Sequence, residues 1–238
     1  AARGARRAGA GLVTICSAPE AFPIYAAGDP GTIAKPVADD AAFAEFLADP
    51  RRNTVIAGPG AGVSPETKSR VLAVLKANKQ TVLDADALSV FEDDAKSLLK
   101  AVHADCVLTP HEGEFKRVFP ALRGGKLQRA RAAARIGGAV VLLKGGDTVV
   151  ASPDGRATIT DNAPAELATA GSGDVLSGII AGFMAQGMAP FEAASAAAWI
   201  HGEAARGFGP GLISEDIPER IPPVLAALAA RIPGMTEG

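Results

Sequence analysis

The sequence predicts an α/β fold whose mainly parallel sheet is covered by helices on both faces. Two observations predict it. Short apolar runs such as Thr54-Val55-Ile56-Ala57 and Cys106-Val107-Leu108-Thr109 alternate with amphipathic helical stretches. Strands that are apolar on both faces belong to sheets buried on both sides. The residues that break the apolar pattern, glycines, carboxylates and one lysine, fall at the carboxyl ends of those runs. Open α/β sheets take their ligands there.

The elements follow in order. A short Arg/Ala helix precedes a strand at Leu12–Cys16. Thr54–Ala57 is the second strand and ends in Gly58-Pro59-Gly60-Ala61-Gly62. Pro65–Asn78 reads as a helix, with Val71, Leu72 and Leu75 on one face and Lys68 and Lys76 on the other. Thr81–Asp84 is the next strand, and a helical stretch near Val90–Ala101 follows. Pro110 stops the strand Cys106–Thr109. Short helices from Glu112 and Lys126 lead to a strand at Ala139–Lys144. Gly145-Gly146-Asp147 turns the chain into Thr148–Ala151, and Pro153-Asp154-Gly155 turns it back into Ala157–Thr160 as a hairpin. The tail is helical over Gly173–Gln186, Pro190–Arg206 and Ile217–Arg231. With no repeat, low-complexity tract or long linker, residues 1–238 read as a single domain.

Composition narrows the function. At 238 residues and 48% hydrophobic, the chain suits one domain of the larger kind. A net charge of −2 gives no footing for nucleic acid or an anionic membrane as partner. Cys16 and Cys106 sit in apolar runs and read as buried free thiols of a reducing compartment. Neither has a CxxC partner, so a zinc site is not expected. Arg3, Arg6 and Arg7 before Gly9–Cys16 imitate a signal peptide, but the apolar run is too short. Val175–Ala189 is the longest apolar stretch, and Gly and Gln interrupt it before it could span a bilayer. A cytoplasmic protein is expected.

Five strand-end or helix-start motifs carry chemistry, and each has a plainer reading. Gly58-Pro59-Gly60-Ala61-Gly62 allows close approach to a phosphate or ring, or is an ordinary turn. Asp84 and Asp86 could hold hydrated magnesium through water; a helix cap suits Asp86 better, leaving Asp84 a supporting polar role. His111 and Glu114 could bind a substrate amide or phosphate and order water around a metal, or form a capping box. Lys144-Gly145-Gly146-Asp147-Thr148 is a nucleotide-contacting loop or a hairpin turn with a solvated lysine. Asp174 follows Gly171-Ser172-Gly173 at the start of an apolar helix. There it either caps the helix or takes a hydroxyl proton beside an anion held by free N–H groups. Elsewhere, His103 and His201 lie in helical stretches and read as structural or exposed, and Trp199 reads as core. Gly178 and Gly182 mark close helix packing.

Taken in order, GPGAG at Gly58–Gly62, LDADAL at Leu83–Leu88, TPHEGE at Thr109–Glu114, LKGGDTVV at Leu143–Val150 and NAPAELATAGSGDVLSGIIAGFMAQG at Asn162–Gly187 form a recognisable series. The chain resembles the ADP- or ATP-dependent NAD(P)H-hydrate dehydratases of the ribokinase-like superfamily, from about Gly9 to Ile217. The resemblance implies a ribokinase-like three-layer α/β/α fold with a mainly parallel central sheet. It also implies a glycine-rich segment and a first strand ahead of the first helix. This sequence opens inside that helix, at Ala1-Ala2-Arg3, so the strand is missing from it.

By the same resemblance, the reaction is repair of hydrated NADH or NADPH. ADP or ATP phosphorylates the ring hydroxyl and phosphate is then eliminated, leaving AMP when ADP is the donor. Asp174 matches the base and contacts substrate. Gly171, Ser172 and Gly173 match the anion hole, with Gly173 also near the AMP moiety. Lys144, Gly145, Gly146, Asp147 and Thr148 match the adenine-nucleotide loop. Gly60 and His111 match substrate positions, and Glu114 matches the glutamate that orders Mg2+ through water. A homo-oligomer, often a tetramer, is implied, and so is an epimerase fused to the chain or working with it. Two other readings compete. One is a small-molecule kinase of the same superfamily acting on a vitamin-like alcohol, against which TPHEGE argues. The other is a non-catalytic adenine-nucleotide-binding module, against which Asp174 argues.

Overall fold

The computed structural model describes residues 1–231. In chain order the elements are α1 (Ala2–Arg7), β1 (Thr14–Ser17), α2 (Phe22–Ala26), β2 (Ile33–Pro36), α3 (Asp40–Ala48), β3 (Thr54–Ala57) and α4 (Pro65–Lys76). Then come β4 (Gln80–Leu83), α5 (Asp86–Ser89), α6 (Ala95–Ala101), β5 (Cys106–Leu108), α7 (Glu112–Val118) and α8 (Lys126–Gly137). The chain continues through β6 (Val140–Leu143), β7 (Thr148–Ala151), β8 (Ala157–Thr160), a 3-10 turn at Ala165–Leu167, α9 (Ser172–Ala185), α10 (Pro190–Arg206) and α11 (Ile217–Ala229).

Local chemistry sets the boundaries. The Ser64 side chain accepts from the Thr67 N–H and Pro65 opens α4, satisfying a free donor where a missing proline N–H costs nothing. Asp39 caps α3 and Asp94 caps α6 in the same way. Gly138 ends α8 in the left-handed region, at φ 63°, a common helix stop.

The main sheet runs β3-β4-β5-β6-β7-β8. Its first four strands are parallel, and β7 and β8 add as antiparallel strands. Alternation along the strands divides the core. Val82, Val107, Val140 and Leu142 pack against α9, α10 and α11. Leu83, Leu108, Val141 and Leu143 pack against α4, α5, α6, α7 and α8. This is the three-layer α/β/α arrangement. Gly178 and Gly182 admit α1 against α9: a Cβ on Gly178 would lie 2.1 Å from the Ala1 carbonyl oxygen, and one on Gly182 2.6 Å from that of Ala5.

The structure corrects several expectations. The strand expected at Leu12–Cys16 is β1, at Thr14–Ser17, and Leu12 is exposed. It does not join the main sheet but pairs in parallel with β2. Of the helix expected near Val90–Ala101 only Ala95–Ala101 is helical, as α6 with Asp94 as its cap; α5 ends at Ser89, before that stretch. His103 lies after α6, not in a helix. The last helix stops at Ala229, short of Arg231. The elements α2, β2 and α3 have no counterpart in the expected series, because residues 18–50 mix Pro, Gly and Ala without clear periodicity. The first strand implied by the resemblance is not among the described residues. Among the described residues β1 and β3 each have one strand partner, and both line a cavity of about 660 Å³ together with residues of α1, α3, α4 and α9.

Candidate active site

Four of the five motifs sit beyond the carboxyl ends of parallel strands, the fifth opens α9, and contacts tie them together. Gly58 follows β3, Asp84 follows β4, Thr109 to Glu114 follow β5, and Lys144 follows β6. Gly58 has φ +121°, and a Cβ there would fall 1.7 Å from the Asp84 carbonyl oxygen. Only glycine lets the two strand ends meet. Asp86 accepts from the Gly62 N–H at 2.8 Å and so fixes the glycine loop. It does not cap α5, whose N-cap is Ala85 with no side-chain bond; this corrects the cap expected for Asp86. Gly60 lines the cavity between β1 and β3, at φ +68° with nothing within 4 Å of where a Cβ would stand.

Asp84 is 1% exposed and accepts three hydrogen bonds. Its Oδ1 takes the Lys144 Nζ at 2.8 Å and the Ala85 N–H at 2.9 Å. Its Oδ2 takes the Ser177 hydroxyl at 2.6 Å. Lys144 Nζ also lies 3.8 Å from Glu114 Oε2 and 3.4 Å from where a Gly173 Cβ would be. The ammonium therefore stands at the start of α9, between Asp84 and Glu114.

His111 and Glu114 form the capping box. His111 Nδ1 accepts from the Gly113 and Glu114 N–H groups at 2.9 and 3.3 Å, and Glu114 Oε2 accepts from the His111 N–H at 2.8 Å. This places the neutral imidazole's proton on Nε2, 3.4 Å from Glu114 Oε1. Capping and site membership coexist here, because the buried Glu114 carboxylate also faces Lys144.

The Lys144–Thr148 segment is a β6–β7 hairpin turn with Gly145, Gly146 and Asp147 exposed. Thr148 turns inward, its hydroxyl donating to the Gly145 carbonyl at 3.1 Å. Lys126 at the start of α8 pins the turn, donating to the Asp147 carbonyl and, at 3.0 Å, to its carboxylate. That anchor escapes sequence reading, since Lys126 resembles any basic residue on a helix.

Gly171 begins α9 in the left-handed region at φ 84°, and no side chain caps the helix. The Ser172 N–H donates to the Thr169 carbonyl at 3.3 Å, and the N–H groups that follow it in the first turn lie at the positive end of the helix dipole. Asp174 stands in this first turn, half-buried, and accepts no hydrogen bond among the described residues. It is thus not a cap. Burial raises its pKa, Asp84 and Asp86 add to the rise, and Lys144 opposes it. Behind Ser172, His201 is buried on α10, and burial lowers its pKa to about 4. It stays neutral and adds no charge behind the turn.

Magnesium fits this donor set only as an ion carried on a ligand's phosphates. Asp84 already accepts three hydrogen bonds and Glu114 faces an ammonium. Among the described residues no three His, Cys, Asp or Glu side chains converge on a point. Magnesium is commonly held this way, by few carboxylates with water and phosphate. Among the described residues no helix is long and apolar enough to cross a membrane.

With this geometry in place, comparison with known proteins is specific. A family model described as NAD(P)H-hydrate dehydratase matches residues 1–211. A bifunctional NAD(P)H-hydrate repair enzyme of Salinibacter ruber is 38% identical over 245 residues, covering 95% of this chain and 45% of that protein. An ADP-dependent (S)-NAD(P)H-hydrate dehydratase of Neisseria meningitidis is 39% identical over 178 residues, covering 69% of this chain and 60% of its own. The chain spans about half the length of the curated relatives it matches. Among solved structures, a Bacillus subtilis ADP/ATP-dependent NAD(P)H-hydrate dehydratase superposes with TM-score 0.79 at 24% identity, covering 95% of this chain and 84% of that one. A ribokinase-like superfamily protein of Enterococcus faecalis reaches TM-score 0.83 at 20% identity, covering 95% and 80%. The fold is ribokinase-like, and the chain belongs to the NAD(P)H-hydrate dehydratase family.

Proposed function

We propose that this chain, as one domain, dehydrates the hydrated forms of NADH and NADPH, using ADP or ATP as phosphoryl donor. One observation carries the reading. Among the described residues the Asp174 carboxylate makes no hydrogen bond, at a helix start without a side-chain cap, with the Lys144 ammonium alongside. A capping aspartate would be engaged by the helix; this one is free to accept a proton. The names carried by the Salinibacter and Neisseria relatives agree with the reading.

In this reading the residues take the roles that the family resemblance implies. Asp174 takes the proton of the hydrate's ring hydroxyl. The oxygen then bonds to the donor's terminal phosphorus as the bond to the leaving nucleotide breaks. The N–H groups of Gly171, Ser172 and Gly173 receive the charge on the phosphoryl oxygens, and Lys144 stands beside them. Magnesium bound on the phosphates would neutralise part of their charge, with Glu114 reaching it through water. The turn Lys144–Thr148 holds the adenine nucleotide, and Gly60 and His111 contact the hydrate. Phosphate then leaves the ring carbon, driven by the ring nitrogen's electron pair, and the neighbouring carbon gives up a proton to restore the dihydropyridine. Oligomerisation and a partner epimerase belong to the same reading, the latter supported by the bifunctional relatives.

Hydrated NADH mixed with the protein, magnesium and ADP, or ATP in a parallel reaction, is expected to regain the near-ultraviolet absorbance of NADH. Absence of regeneration with both donors overturns the reading.

A further inference from the structure

We propose that Asp84 is a positioning residue that presets the Lys144 ammonium at the start of α9, with Ser177 as the pin joining that carboxylate to the helix. The proposal rests on the reading of this site as a phosphate-handling one. A free lysine side chain sweeps many rotamers and must be ordered when an anion binds. Here the ordering is built in. Asp84 engages one of three ammonium N–H groups at 2.8 Å, leaving the others for phosphate oxygens.

Asp84 is itself fixed from three directions, two at its carboxylate and one at its backbone. Ala85 is a non-glycine residue at φ 50° and ψ −119°, a sparsely populated conformation that persists only where its surroundings impose it. It coincides with the Ala85 N–H turning onto Asp84 Oδ1. Gly58 packs bare backbone against the Asp84 carbonyl. Ser177 is fully buried on α9, one turn beyond Asp174, and donates to Oδ2 at 2.6 Å. A hydroxyl on the otherwise apolar inner face of α9 has no packing advantage over alanine. Its hydrogen bond ties the helix carrying the anion-binding turn to the strand end holding Lys144. Asp84 thus sets the spacing between the nucleotide turn on β6 and the base on α9.

Two readouts test this on the full chain. The first needs no ligand: the side-chain nitrogen resonance of Lys144, assigned by its disappearance in Lys144→Arg, reports mobility. It is expected to be immobilised in the parent protein and mobile in Asp84→Asn, with Ser177→Ala intermediate. The second is calorimetric binding of ADP with magnesium. Asp84→Asn is expected to weaken binding about tenfold and Ser177→Ala about threefold, in line with losing hydrogen bonds to a charged group. In a Lys144→Met background Asp84→Asn should weaken binding no further, because its effect passes through the lysine. An immobile Lys144 in both variants, or the same loss with and without Lys144, overturns the proposal. Ser177→Ala changes one oxygen and guards against misfolding of the Asp84 variant. If the parent protein fails to bind ADP, the nucleotide reading falls while the resonance still decides the role of Asp84.

Discussion

Asp174→Asn is expected to lower turnover about a thousandfold while leaving ADP affinity within about twofold, as loss of a general base does. Asparagine keeps the shape of the side chain and cannot accept the proton. The helix start needs no side chain from this residue, because Gly171 begins α9 and no cap bond exists to lose. Stability should move the other way. The folded pKa of Asp174 is raised, chiefly by burial, so the folded state binds the proton more tightly than the unfolded chain. The ionised group therefore costs stability above its folded pKa, and the cost fades as pH falls through that value toward the unfolded one. The asparagine variant should melt higher than the parent at pH 7, and the gap should close on acidification. Turnover and melting curves measured together decide the matter. Normal turnover, or a lower melting temperature at pH 7, would make Asp174 a structural residue.

Gly58→Ala is expected to destabilise the fold by more than about 3 kcal/mol, from steric overlap and a φ that L-residues avoid. In a chain of this size that lowers the melting temperature by about 10 °C. The new methyl group would lie 1.7 Å from the Asp84 carbonyl oxygen and 2.9 Å from the Ala87 N. Neither is a flexible side-chain tip, so backbone must move. Gly60→Ala is the control. Its φ is also positive, but the methyl group would meet nothing within 4 Å. Its cost should stay near about 1 kcal/mol, the left-handed penalty alone. Equal melting temperatures for the two variants would mean that the β3 and β4 ends do not depend on this contact. Because Gly58 touches the residue that holds Lys144, its variant should also lose ADP affinity, and the Gly60 control should not lose it through Lys144.

Much of this arrangement is legible in the residues. The strands of the main sheet are short and apolar, so their ends stand out, and the polar motifs at those ends mark the site. Lys144, Glu114 and the Gly171–Asp174 turn come together as their positions imply. What sequence misses are relations between distant residues. Asp84 and Asp86 are two carboxylates around one alanine, and nothing local says which caps a helix. In the fold neither does, since one holds a lysine sixty residues later and the other a glycine N–H upstream. Ser177 is a lone hydroxyl in an apolar helix, and its partner lies 93 residues away. The split of β1 from the main sheet is equally invisible, since a strand's apolar run does not say which edge it joins.

The seam of α1 on α9 has a consequence for the base. Gly178 and Gly182 hold the two helix backbones against each other with no side chain between them. Asp174 rides on that same helix, about one turn before Gly178. The reach of its carboxylate is therefore set partly by a backbone contact that no rotamer change can relax. Where a seam of long side chains would let the helix rock, bare backbone gives it a fixed seat.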